Sequence, residues 1–386
     1  KINRPGAACA SVMLLLFAPF GIMVLSYNSM GIICLSVSLV LLITAKRYVR
    51  LQQTAAGLFF ACSVICCPYL ILIFPVYFIA SLVCSIVRKH ADRQEVSGRR
   101  TDIVFSISCW IFFTIGAAVM AAIFAAFILS RNSLGDVVRA LPFIMSDSDH
   151  ELSGPVMIII TWFKSVLSIS KAADIGYAAM IICAVAAGID RQRQAHAALY
   201  FAVSGAFAAF SVLYLAVGGG FLNFLMFPVN LMAIVCVILC RQKIVRDLFF
   251  IMWIPGMLYS LCIHAASNQL FYAISLACAV PLISSVIIIC IAAKEILEGS
   301  GRAARILCAV ITAALLLSQL GSEAVLRYRA VFWESMDILQ DHKVTEGNEK
   351  GLYISEATEQ GYTHTLDVTD HIKEYYPDAD SVSFGT

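Results

Sequence analysis

The chain has 386 residues, of which 60% are hydrophobic and 13% charged, where soluble proteins average about 25% charged. A mean hydropathy of +0.86 excludes an ordinary soluble domain and places the chain among polytopic membrane proteins. The formal net charge of +2 hides a division: residues 1–321 carry 22 Lys/Arg against 12 Asp/Glu, and residues 322–386 carry 5 against 13.

A basic membrane body (1–321) followed by an acidic outer soluble domain (322–386) is therefore expected. All 14 cysteines lie before Gly321 in apolar runs such as those around Cys34, Cys66, Cys67 and Cys236, where they serve as small packing residues. None has metal-ligand spacing with a histidine. Nothing in the composition calls for nucleic acid. The chain opens on Lys1 without a cleavable signal pattern and stops in SVSFGT, so a piece of a longer protein is expected.

A spanning helix needs roughly 20 apolar residues. Gly6–Leu25 meets this, then Ser26-Tyr27-Asn28-Ser29 reads as an outer polar turn, and Gly31–Ala45 spans again. Thr54–Arg88 is too long for one span, and Pro68 divides it into a tight hairpin with arms Thr54–Cys67 and Tyr69–Val87. After the basic loop Arg88–Arg100, Ile103–Leu129 crosses back. Ile175–Ile189, Ala197–Val217, Phe221–Cys240, Leu248–Ala265, Phe271–Ala292 and Ile306–Leu320 complete the candidates.

Arg131–Asp174, within the outer loop 130–174, is the long interruption without a cytoplasmic signature. If Pro155–Ile169 spanned, the later basic loops would fall outside. If it lies on the surface or re-enters, 18 of the 22 basic residues of the body are cytoplasmic, leaving Arg131, Arg139, Lys164 and Lys171 outside. The second choice gives an all-α polytopic fold of about eleven transmembrane helices, N-terminus inside and tail outside. Over Pro155–Ala172, Thr161, Lys164, Ser165, Ser168 and Lys171 recur every three or four residues, the pattern of an in-plane helix with one polar stripe; a span with that stripe facing the bundle is the alternative. Ser133-Leu134-Gly135-Asp136 reads as a capping box opening a short helix that Pro142 ends. In the tail, Ala324–Gln340 reads as amphipathic helix, Gly351–Ser355 as strand, Asp367–Tyr375 as helix and Ser381–Phe384 as strand, the start of a partial α/β domain.

No nucleophile elbow, phosphate loop, dinucleotide fingerprint or HExxH occurs. Asp147, Asp149 and His150, with Glu151, form the densest outer cluster. They suit a divalent cation or proton transfer, or are a solvated turn. No other cofactor is called for. Arg131, Lys164 and Lys171 suit lipid phosphates, or anchor helices at the interface. Tyr27 and Asn28 face the same site or simply join two spans. His264 is an ionisable group at a span end, or a packed, hydrogen-bonded one. Asn223, Pro228 and Asn230 bend a helix.

The layout resembles the membrane glycosyltransferases of the GT-C fold, in particular the aminoarabinose-transferase and protein O-mannosyltransferase branch. The hairpin AAGLFFACSVICCPYLILIF (55–74) is similar to that family's fifth and sixth spans, and KGLYIS (350–355) to the start of its outer domain. The likeness covers almost the whole chain in topology and texture, without a specific motif. It implies a polyprenyl-phosphate-linked sugar as donor, transfer on the outer face of a bacterial plasma membrane with inversion, and basic residues holding the phosphate. The family's catalytic acid would lie in a loop before Lys1. A transporter or flippase, and an assembly protein whose tail binds a partner, are the other readings.

Overall fold

The computed structural model describes residues 4–17, 27–45, 48–76, 79, 107–145, 155–167, 171–190, 192–218, 222–266, 270–329, 341–346 and 350–375. Helices dominate: α1 (Arg4–Leu16), α2 (Tyr27–Thr44), α3 (Val49–Cys66), α4 (Ile107–Leu129), α5 (Leu134–Met145), α6 (Pro155–Val166), α7 (Lys171–Ile189), α8 (Ala197–Val217), α9 (Met226–Leu239), α10 (Lys243–Leu248), α11 (Ile254–Ala265), α12 (Leu270–Ala277), α13 (Ala279–Gly299) and α14 (Arg302–Arg329). Among the described residues eight helices are long and apolar enough to cross a membrane, and Arg4–Leu16, Val156–Val166 and Met226–Leu239 are shorter apolar helices. The chain is an all-α polytopic membrane protein. It divides into two compact units, Lys1–Arg327 and Tyr328–Thr386.

The exposure pattern is that of a bundle in lipid. The α13 window is 72% buried and forms the centre, whereas that of α4 is 11% buried. The exposed side chains of α4 are Ile111, Ile115, Val119, Ile123 and Phe127, a face that only hydrocarbon would solvate well. Helices α3 and α4 cross where each has a glycine: Gly57 lies on the backbone of Phe113, and Gly116 on the backbone of Thr54. Small residues permit this approach, and dispersion holds it where no hydrophobic effect operates between helices. Helices α2 and α3 are joined by hydroxyls, Ser38 Oγ donating to Ala56 O (2.8 Å) and Ser63 Oγ to Gly31 O (3.1 Å). Phe60, Phe74, Trp110 and Phe113 form an aromatic cluster on the same side, with Phe60 and Phe113 5.3 Å apart and Phe74 edge-on to Trp110 at 5.6 Å.

Prolines set the irregular points. Pro68 ends α3 and opens a 3₁₀ turn, Pro68–Leu72; residues 77–78 and 80–106, which hold most of the expected hairpin's second arm and the basic loop, lie outside the described residues. Pro142 does not end α5, which continues to Met145. The expected span Phe271–Ala292 is instead two helices meeting at Cys278, because Pro281 has no N–H for the carbonyl of Ala277 and its ring crowds that carbonyl. Pro255 follows a π turn, Phe249–Trp253, which inserts an extra residue into the helix where the proline interrupts the ladder. Pro228 is harmless in the first turn of α9, where no partner for its N–H would exist. Helix α6 has 12 residues, roughly 18 Å of rise against about 30 Å of hydrocarbon.

In the second unit β1 (His342–Lys343) pairs antiparallel with β2 (Tyr353–Ile354), His342 opposite Ile354. Gly351 closes the turn with φ +98°, a conformation a side chain would resist. Helix α15 (Glu356–Tyr375) begins at Ser355, whose Oγ accepts from Thr358 N at 3.2 Å, so the helix starts well before the expected Asp367. His342 Nδ1 lies 2.6 Å from Glu359 Oε2, tying hairpin to helix. The expected strand Ser381–Phe384 and most of the helix Ala324–Gln340 beyond Arg329 lie outside the described residues.

Candidate functional site

Several of the sequence candidates gather on α11. Gly256 sits against Pro281, so α11 packs onto the first turn of α13 just beyond the break at Cys278. Three residues further along α11, the Tyr259 hydroxyl lies 2.9 Å from where a Cβ on Gly31 would be, which brings the first turns of α2 to α11. Tyr27 and Asn28 therefore belong to a helix rather than to a polar turn; Asn28 is buried and Tyr27 exposed.

The next residues of α11 engage α6. Trp162 Nε1 donates to Ser260 Oγ at 3.3 Å, and Ser260 donates on to Met257 O at 2.7 Å. His264 Nε2 lies 3.0 Å from Thr161 Oγ1. Thr161 has one hydroxyl proton, and its Oγ1 is 2.7 Å from Met157 O, a helical back-bond that uses it. The contact is then a donation from His264 Nε2–H to Thr161, and Nδ1 is left as an unprotonated acceptor. That Nδ1 is buried and has no partner among the described residues. His264 is thus packed and hydrogen-bonded, with one free lone pair.

This docking turns α6 round relative to the stripe expected from sequence. Thr161 bonds inward and Ser165 is buried, while Val156, Met157, Ile159, Ile160, Phe163 and Leu167 are exposed. Lys164 is exposed in the midst of that apolar face. Lys171 is not on α6 at all: it is the first residue of α7, and its side chain lies outside the described residues. The stripe breaks because α6 stops at Val166 and a new helix begins five residues on.

Arg131 stands just past α4, where Ser130 Oγ donates to Phe127 O (2.7 Å) and Asn132 Nδ2 to Ile128 O (3.1 Å), satisfying terminal carbonyls. The guanidinium lies 4.9 Å from the Phe127 ring and beside the negative end of the helix. The capping box that follows is present: Ser133 Oγ donates to Asp136 Oδ2 (2.5 Å) and accepts from Asp136 N (3.2 Å). Asp147, Asp149 and His150 lie outside the described residues, and among the described residues no group of three His, Cys, Asp or Glu could hold a metal.

Reading the sequence as spans took Asn230 only for a helix bend and passed over two further polar sites inside the bundle. Asn230 is fully buried; its Nδ2 donates to Cys278 O at 3.0 Å, its Oδ1 accepts from Ser285 Oγ at 2.8 Å, and its carbonyl accepts from Trp253 Nε1 at 3.1 Å. It joins α9, α13 and the π turn at the helix break. On α7, Asp174 Oδ1 and Tyr177 OH are buried without partners among the described residues, and Tyr177 meets Phe227 edge-on at 5.2 Å. An apolar groove of about 410 Å³ between α7 and α8 is lined by Ala172, Ile175, Ala206, Phe207 and Phe210. On α14, Gln319 and Glu323 are both fully buried. The signal for these was available: each is a polar residue inside or abutting an apolar run. Outside the spans, Asp190 is held below the usual carboxylate range by His196 Nδ1 at 2.7 Å and by the Gln192 N–H at 2.7 Å.

Comparison of the chain with protein-family models, with curated proteins and with solved structures finds no match.

Proposed function

We propose that this chain is the membrane body of a glycosyltransferase that takes a sugar from a polyprenyl-phosphate donor at the outer face of a bacterial plasma membrane. In this reading it has eleven spans, a cytoplasmic N-terminus and an outer tail. The observation that carries it is Lys164, exposed on α6 among Ile160, Phe163 and Leu167. A polyprenyl phosphate has a long apolar chain and an anionic head. A helix that presents one cation within an apolar, lipid-facing surface matches both parts. The bonds Thr161–His264 and Trp162–Ser260 hold α6 in register, so the ammonium is placed by a rigid support. Arg131 supplies a second exposed cation beside an aromatic ring.

In the transfer, an acceptor oxygen attacks the anomeric carbon, the bond from that carbon to the phosphate oxygen breaks, and the acceptor proton goes to a base. The lipid phosphate leaves with the bonding pair, and a nearby ammonium stabilises the charge that develops on it. No residue of this chain is assigned as the base. The test is binding of a fluorescent polyprenyl phosphate to the full chain in nanodiscs. Lys164→Ala is expected to weaken it about tenfold, the value of one charge-assisted contact. Unchanged affinity in both Lys164→Ala and Arg131→Ala overturns the reading.

A second reading, transport of a lipid-linked or small substrate, is favoured by the interrupted helix at Cys278 and the π turn at Phe249–Trp253. Broken helices at membrane depth are typical of transporters. Movement of labelled donor across proteoliposomes with no acceptor present would favour it over transfer.

A further inference from the structure

We infer that Gln319 and Glu323 form a binding site for one small cation, a proton or a monovalent metal ion, buried inside the bundle between α14 and α1. Both side chains are fully buried, one helical turn apart. Gln319 Nε2 donates to Glu323 Oε1 at 2.8 Å. That leaves two oxygens, Gln319 Oε1 and Glu323 Oε2, buried with no donor among the described residues. Exchanging the amide nitrogen and oxygen of Gln319 does not help, because an oxygen would then face the carboxylate oxygen. Either assignment leaves the pair short of one positive charge.

Among the described residues no neighbour supplies it. Arg327, one turn further along α14, donates instead to Leu15 O (3.1 Å) and Leu16 O (2.7 Å) at the end of α1. Cys9 faces Glu323 from α1, and Cys290 on α13 stands behind Cys9. Neither side chain carries a positive charge to offer the acid. An isolated carboxylate in this setting is among the most costly groups a bundle can hold, so it takes a proton or a metal ion. Two neutral or anionic acceptor oxygens on one helix face suit a hard monovalent cation, and a single proton on Glu323 removes the same deficit.

The site is independent of the chemistry at Lys164 and is tested without any sugar substrate. The full chain in nanodiscs is unfolded thermally from pH 6 to pH 9, in choline chloride and in sodium or potassium chloride. Wild type is expected to lose stability as pH rises in choline. If the ligand is a metal ion, sodium or potassium restores the loss at high pH; if it is a proton, neither does. Glu323→Gln, which keeps the shape and removes the charge, flattens both dependences, while Cys9→Ala preserves them. In the metal case Gln319→Leu raises the salt needed for half-saturation about tenfold. Should Glu323→Gln fail to fold, wild type alone decides: an infrared band of a protonated carboxylic acid, or retained alkali ion after desalting, is required. Equal pH and salt dependence in wild type and Glu323→Gln overturns the site, as does wild type with neither band nor ion.

Discussion

Asn230 offers the sharpest test of how the bundle is held together. Asn230→Leu keeps the volume of the side chain, so no large cavity opens. It removes two buried interhelical hydrogen bonds, Nδ2 to Cys278 O and Ser285 Oγ to Oδ1. Neither partner is orphaned: Cys278 O still accepts from Leu282 N at 3.2 Å, and the single Ser285 hydroxyl proton, no longer taken by Oδ1, is free to go to Pro281 O at 2.9 Å. The cost is then the bonds themselves, about 0.6 to 1.7 kcal/mol each inside a membrane, or roughly 1–3 kcal/mol in all. Ser285→Ala removes one of them and should cost about 1 kcal/mol or less. The double variant should match Asn230→Leu, because the shared bond is lost only once. Equilibrium unfolding in mixed micelles of increasing sodium dodecyl sulfate reads all three. An Asn230→Leu variant as stable as wild type, or two strictly additive losses, would refute the role of Asn230 at the break.

Gly57→Ala is expected to destabilise the pair α3 and α4 by about 3 kcal/mol, the upper end of overpacking penalties, because the added methyl meets the backbone of Phe113 rather than a movable side chain; an unchanged unfolding midpoint would contradict the close crossing. Asp190 has its folded pKa lowered, so its contribution is present above the ordinary carboxylate range, near pH 4, and is lost as pH falls through the depressed value. Asp190→Asn should therefore flatten the loss of stability between about pH 5 and pH 2, and an acid limb identical to that of wild type would count against the His196 and Gln192 contacts.

Much of the local architecture was legible in the residues. Ala197–Val217 forms the helix its apolar run marks out. Ser133 and Asp136 form the capping box their spacing announced, and Pro155 opens α6 as a first-turn proline should. These features depend on side chains within one turn of each other, so chain order alone specifies them.

The candidate site was legible in part. Lys164 and Arg131 are exposed cations, and His264 is a packed histidine at a helix end. What could not be read was which way α6 faces, because Thr161 and Trp162 answer to His264 and Ser260, about a hundred residues away. A polar stripe points to water in one setting and to a partner helix in another, and periodicity is the same in both.

Composition and periodicity by themselves determined that this is a helical membrane protein, where its long apolar runs lie and how several of its helices begin. Tertiary structure alone decided the inward turn of Thr161, the partners of Asn230 and the burial of Glu323. Apolar length and capping are local properties of the chain. Hydrogen bonds made without water must be completed by whichever helix packs nearby, and only the folded bundle says which helix that is.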